Sequence, residues 1–334
     1  MLKSVITRRR FVTIAGSACG ALALGGLARA SAGDTAPVRW RGSALGAQVS
    51  IEIHHPDRAS AAALVEASIR EVRRLEQLFS LYQPDSAICE LNRAGVLIAP
   101  DPSMVELLRA ALQFAALTGG AFDPTVQPLW QCYQHHFASA GADPAGPPPA
   151  QLAGALANVG YTGLLVSDDR IALTRRGAAI TLNGIAQGYA TDRVVGLLRR
   201  GGLSATLVDI GEIRAIGARP DGAPWRIGLA DPEIAGRMLG TIDLIDRAVA
   251  TSSGSGFRFD HDGRFNHLFD PANGRSPARY RSVSVVAPSA TEADALSTAA
   301  SIMSQQHIAK LVVARPGLEV VLSDRSGDLQ MLRS

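Results

Sequence analysis

Cysteine is scarce in this chain of 334 residues, which has three: Cys19, Cys89 and Cys132. No pair of them stands at the short spacing of a zinc site, and so few cannot build the disulfide framework of a small secreted domain. Cys132 lies close to His135 and His136 in "CYQHHF", but one such cluster without a second ligand pair does not make a metal site. Aromatic residues are also few, at 5%. No basic stripe with interleaved aromatics follows the N-terminal segment, which excludes the usual nucleic-acid surface. The Gly-Lys-Ser/Thr ending of a P-loop is missing, and so is a G-x-G-x-x-G dinucleotide fingerprint. No internal repeat is visible. The apolar run near the N-terminus is short and rich in Gly and Ala, which argues against a retained membrane span.

That run belongs to "TRRRFVTIAGSACGALALGGLARASA", where Arg8, Arg9 and Arg10 precede Phe11 and small residues occupy Ala28 to Ala32 apart from Arg29. The pattern predicts a twin-arginine signal peptide over residues 1–32, cleaved near Ala30 or Ala32, with export to the periplasm. Gly16-Ser17-Ala18 lacks the Leu expected three positions before a lipidated Cys19, so a lipoprotein is not expected. The leader holds Lys3, Arg8, Arg9, Arg10 and Arg29 and no acid, so the excess of 33 basic over 30 acidic residues belongs to targeting. Cys89 and Cys132 remain, able to pair or to stay buried in an oxidising compartment. Residues 33–334 are expected to form one domain.

Alternating polarity in "LGAQVSIEIHH" predicts a strand, and Leu64, Ile69, Val72, Leu75 and Leu78 predict an amphipathic helix over 58–79. A second helix is expected over 102–117, stopped by Gly119-Gly120. The Pro/Gly/Ala-rich stretch 138–149 reads as an exposed loop, with a helix beginning near 150. Strands at 163–174 and 178–182 lead into a helix from Asn183 to Arg200. Further strands are expected at 204–210, 213–217, 225–229, 239–250 and 281–287, then a helix over 291–303 and strands at 318–323 and 328–332. Strands outnumber helices and tight turns join many of them, so the predicted class is α+β with largely antiparallel sheet.

Four stretches carry more chemistry than packing requires. In "FSLYQPDSAICELN", Ser80, Tyr82, Ser86 and Asn92 gather at a helix end, although turns are ordinarily rich in such residues. In "GGAFDPTVQPLW", Asp123 precedes a proline, as a turn-former or as an acceptor for a ligand hydroxyl or amine. In "TLNGIAQGYATDR", a strand enters a helix through Asn183-Gly184, where free N–H groups meet a glycine that admits a phosphate or cation; close packing of helix on sheet is the plainer account. In "EADALSTAAS", Asp294 and Thr298 lie four apart and so share one helix face. A surface or capping acid explains Asp294 equally well at this stage. One carboxylate, one hydroxyl and a carbonyl are also a reasonable partial site for magnesium, which takes its remaining oxygens from water and phosphate.

In this order the stretches resemble the ApbE family, the FAD:protein FMN transferases, over about 43–332. The family patterns stand here as Ser80-Leu81-Tyr82 with Ser86 and Asn92, Gly120 to Thr125, and Gly184-Ile185-Ala186-Gln187-Gly188-Tyr189 with Asp192. They continue as Ala248 to Ser252, His267 to Gly274, and Ala293 to Ala299. Three positions depart: Leu45-Gly46-Ala47 replaces Met-Gly-Thr, Gln187 replaces a lysine, and "VDIGEIRAIG" has one glycine of an expected pair. The last form looks like the NosX branch, associated with maturation of nitrous-oxide reduction.

The resemblance implies transfer of FMN from FAD to a Ser or Thr hydroxyl of a partner protein, with release of AMP. It implies Mg2+ at Asp294, Thr298 and the Gly184 carbonyl. Leu45, Ser80, Leu81, Tyr82, Asp123, Thr181, Gln187, Ser252 and Leu268 become the expected flavin and adenine contacts. His267, Asp270 and Asp294 are the candidate bases, with no choice among them. The implied acceptor is a membrane-anchored, NosR-type electron-transfer protein facing the periplasm. Two rivals stand beside this reading: a periplasmic FAD carrier, which the loss of the lysine at Gln187 favours, and an FAD pyrophosphatase.

Overall fold

The computed structural model describes residues 38–53 and 57–334. The predicted leader over 1–32 lies outside the described residues. The chain opens with β1 (Val38–Ala44) and β2 (Ala47–Ile53), then α1 (Arg58–Phe79), α2 (Ala87–Ala94), β3 (Val96–Ile98) and α3 (Pro102–Leu117). It continues through α4 (Gln127–Phe137), α5 (Pro149–Leu156), β4 (Leu164–Val166), β5 (Arg170–Leu173) and α6 (Ala186–Arg200). Then come β6 (Thr206–Asp209), β7 (Ile213–Ile216), β8 (Trp225–Ala230), β9 (Met238–Leu244), β10 (Ala248–Ser252) and β11 (Ser282–Ala287). Helices α7 (Ala290–Ala300) and α8 (Gln305–Ala314) precede β12 (Glu319–Ser323) and β13 (Leu329–Arg333).

Eight strands form one antiparallel sheet in the order β1-β2-β6-β7-β10-β11-β12-β13. The two-residue period of a strand explains how its centre is covered on both sides. Ala248, Ala250, Val283, Val285, Val320 and Leu322 pack under α7 and α8. Val249, Val286 and Val321 point the other way, against Ile227, Leu229, Ile242 and Leu244 of the β8–β9 hairpin. Helices α1, α3 and α6 bury Val72, Leu75, Leu108, Val194 and Leu198 over the β2–β6 end. An α+β class with antiparallel sheet is what this architecture is.

Several elements differ from the expectations drawn from sequence. Residues 178–182 are extended but join no ladder. Asn92 substitutes for a neighbouring strand: its Oδ1 accepts from Ile180 N at 2.7 Å and its Nδ2 donates to Ile180 O at 2.8 Å. Residues 183–185 form a turn, so α6 begins at Ala186. The expected strand at 239–250 is two strands, divided at Asp246, whose φ is 53°, and 163–174 is the β4–β5 hairpin. Helices α2, α4 and α8 were not expected. Cys89 and Cys132 are both free thiols.

Candidate functional site

A cavity opens where the N-terminus of α6, the side of α7 and the end of β10 meet the loops after α1 and α3. Position and packing in α7 come first. Ser289 caps the helix by accepting from Glu292 N at 3.2 Å. Asp192 of α6 accepts from Ala290 N and Thr291 N, both at 2.9 Å, and so holds the first turn of α7 against α6. The approach of the two helices demands Gly188: a Cβ there would lie 2.2 Å from Ala290 O and 2.8 Å from the Asp294 Cβ. Small residues along α7, including Ala293, Ala295 and Ala299, let it sink against the sheet and α6.

This burial carries Asp294 inward, where it is 4% exposed. Its Oδ2 accepts from Gly188 N at 2.9 Å, and no cation pairs with it among the described residues. Burial pushes its pKa up to about 7. One turn on, Thr298 faces Gly184 so closely that a Cβ on the glycine would meet Thr298 Oγ1 at 2.8 Å. Ser252 Oγ lies 2.8 Å from Ser297 Oγ and 3.4 Å from Thr298 Oγ1.

Most residues singled out in the sequence line this cavity. Leu45, Ser80, Tyr82, Asp123 and Thr181 line one part of it. Gly184, Gln187, Ser252, His267, Leu268, Asp294 and Thr298 line the rest. Asp123 is both things the sequence allowed. It closes a turn, accepting from Thr125 N and Tyr161 N at 2.7 and 2.9 Å, and it faces the cavity. Burial, outweighing those bonds, raises its pKa. Gln187 replaces a cation with an amide whose Nε2 donates to Leu45 O at 3.2 Å. Leu45 N in turn donates to Glu76 Oε1 at 2.9 Å, which holds a leucine with φ 50° at the cavity edge.

Two expected residues fall outside it. Leu81 packs on the main core and faces a neighbouring groove. Asp270 is a correction to the list of candidate bases: its oxygens accept from Ala272 N at 2.9 Å and Asn273 Nδ2 at 2.7 Å, so it closes the 270–274 turn. His267 does line the cavity. Part of its ring surface opens into the hollow, yet the surrounding protein lowers its pKa by desolvation, which favours the neutral ring. Its Nδ1 lies 3.2 Å from Phe257 N, whose N–H can donate to it, and 3.3 Å from Phe257 O, to which it can donate in the other tautomer.

Sequence reasoning missed Glu212, which is 6% exposed and lines the cavity. Burial, followed by the charges of Asp294 and Asp209, pushes it well above the ordinary carboxylate range. The signal was the acid after the lone glycine in "VDIGEIRAIG". Gly211 is required there, because with φ at 90° a Cβ would sit 2.7 Å from Gln187 Cδ.

The sequence model of the ApbE family matches residues 45–322. The chain belongs to the ApbE family. It is 32% identical over 286 residues to the FAD:protein FMN transferase of Treponema pallidum, covering 78% of each chain. It is 30% identical over 308 residues to the enzyme of that name from Salmonella typhimurium, covering 89% of this chain and 84% of the other. The crystal structure of the ApbE protein from Thermotoga maritima superposes with a TM-score of 0.78 at 31% identity, covering 88% of this chain and 96% of that one. The flavin transferase ApbE of Vibrio cholerae gives 0.76 at 27% identity, with 88% and 96% covered.

For an ApbE-family chain the donor set can be tested against magnesium. Among the described residues no group of three or more His, Cys, Asp and Glu side chains could hold a metal ion. That excludes an all-protein cage. A buried carboxylate without a cation, beside a hydroxyl and a glycine main chain, is the sparse oxygen set that magnesium completes with water and phosphate. The residues fit.

Proposed function

We propose that this chain is an FAD:protein FMN transferase that joins the FMN half of FAD to a Ser or Thr hydroxyl of a partner protein. The acceptor oxygen bonds to the FMN-side phosphorus, the bond from that phosphorus to the bridging oxygen breaks, and AMP leaves with the bridging oxygen. Such a transfer depends on positioning and on neutralising charge. The observation that carries the reading is the meeting of Asp294, Thr298, Gly184 and His267 in one cavity of an ApbE-family chain.

Asp294, Thr298 and the Gly184 carbonyl would hold Mg2+, which when bound neutralises pyrophosphate charge. His267 is the base we favour. Nδ1 lies 3.2 Å from Phe257 N, whose N–H donates to it in one tautomer, and 3.3 Å from Phe257 O, to which it donates in the other; the second tautomer leaves on Nε2 the lone pair that takes the acceptor's proton. Burial, by keeping the ring neutral, keeps that lone pair available near neutral pH. Ser80, Asp123, Thr181, Gln187 and Ser252 supply polar contacts to FAD, while Leu45, Leu268 and the exposed ring of Tyr82 supply apolar ones.

Place and partner complete the reading. The leader over 1–32 takes the chain by the twin-arginine route to the periplasm, where 33–334 works as one domain. The single glycine before Glu212 supports the NosX branch, whose acceptor is a membrane-anchored NosR-type protein. The decisive assay incubates the leaderless chain with FAD, magnesium and a purified flavin-acceptor domain. FMN mass on the acceptor together with free AMP is expected. AMP with free FMN would mean hydrolysis, neither product would mean a carrier, and both results would end the transferase reading.

A further inference from the structure

A second hollow adjoins the cavity, and the transfer derived above makes no use of it. Tyr82, Gln127, Trp130 and Asn183 line both, so the two share a wall. The outer hollow continues past Asn92 and Arg93 on one side and past Gln131, Gln134 and His135 on the other.

Helix α4 is built to present that second wall. Leu129 and Tyr133 bury one face in a cluster that includes Phe269, and Tyr133 stacks on Phe269 with ring centroids 5.3 Å apart. The opposite stripe is Gln127, Gln131 and Gln134, at the spacings that place side chains on one helical face. None of these three amides has a hydrogen-bond partner among the described residues. Gln127 is 7% exposed, and its amide is not among the enclosed unpaired polar atoms, so it opens into the junction of the two hollows.

Each primary amide offers two donors and an acceptor to whatever occupies the groove. From first to last the stripe covers roughly 10 Å of helix, the length of about three residues of extended chain. Extended backbone presents alternating N–H and C=O groups that match such a row. No carboxylate lines the outer hollow, and its one formal charge is Arg93, which disfavours a basic segment.

We propose that this groove binds the acceptor protein through an extended, non-basic segment laid along the glutamine stripe of α4. The segment's Ser or Thr enters the cavity where Tyr82 and Asn183 meet, displacing the hydrogen bond between their side chains. The inference rests on the transferase reading and adds to it how the acceptor is recognised. The rival occupant is the far end of FAD itself, and kinetics separate the two.

The test uses the full chain and a purified extracytoplasmic flavin-acceptor domain, with the Michaelis constants for acceptor and for FAD measured separately. The double variant Gln131→Glu, Gln134→Glu keeps side-chain size on an outward helix face while removing donors. It is expected to raise the acceptor constant about tenfold, as the loss of one or two hydrogen bonds would, and to leave the FAD constant within about twofold. The pair Gln131→Ala, Gln134→Ala is expected to shift the acceptor constant in the same direction. A rise in the FAD constant instead, or no change in either, overturns the groove assignment. Absence of FMN on the acceptor with wild-type chain sinks the transferase reading first, and this inference with it.

Discussion

At the scale of the residue, the site turns on carboxylates and an imidazole whose charge is set by burial. Asp294 has a pKa near 7 because its surroundings disfavour the anion. An acid whose pKa is raised on folding binds more protons folded than unfolded, so its contribution grows more unfavourable as pH rises from about 4 to 7 and is full above that. Asp294→Asn is therefore expected to stabilise the metal-free protein at pH 8, on the order of a few kcal/mol at roughly 1.4 kcal/mol per pKa unit. It should do little at pH 4 and abolish transfer at any pH. Thermal unfolding in chelator at the two pH values checks this, and an equal effect at both would count against the buried charge. His267→Gln keeps a polar side chain but removes the base proposed above. A fall in kcat of roughly 10²- to 10⁴-fold is expected, with FAD affinity, read by fluorescence titration, retained. Loss of affinity with kcat unchanged would make His267 a binding residue.

At the scale of the element, the site depends on how closely α6 and α7 approach. Gly188 is the contact: any side chain there meets the Ala290 carbonyl and the Asp294 Cβ. Gly188→Ala is expected to lower stability by about 1–3 kcal/mol, as overpacking does, and to weaken transfer further by displacing Asp294. A variant with wild-type melting and turnover would show that the helices have slack. The same junction explains what the sequence disclosed and what it hid. The i, i+4 spacing of Asp294 and Thr298 was visible, because helical neighbours follow from periodicity. The close fit that buries Asp294 was not, because it arises from a carbonyl on α7 meeting a glycine on α6. Helix α4 escaped notice for a related reason: its buried face is Leu129, Tyr133 and partners among the phenylalanines of 259–269, while its other face is glutamine. Neither gives the aliphatic stripe by which a helix is ordinarily recognised.

At the scale of the whole molecule, one antiparallel sheet and the helices on its face bring residues 45, 82, 123, 184, 252, 267 and 294 to one cavity. The α+β class was legible because strand periodicity and tight turns are local. The covering of the sheet centre on both faces was not, since the β8–β9 hairpin packs there through nonlocal contacts. Most of the site was legible only as an ordered set of motifs, each weak alone. Asp270 misled because a carboxylate beside a proline reads alike whether it closes a turn or serves a substrate, and here it closes a turn. Glu212 escaped because its significance lies in its nearness to Asp294, 82 positions later in the numbering. The central claim, that this junction holds a divalent ion against the pyrophosphate of FAD, is tested most directly by calorimetric titration of FAD into wild-type and Asp294→Asn protein, with and without magnesium. The account predicts that magnesium tightens FAD binding by wild type and leaves the variant unaffected. Equal tightening in both proteins would contradict it.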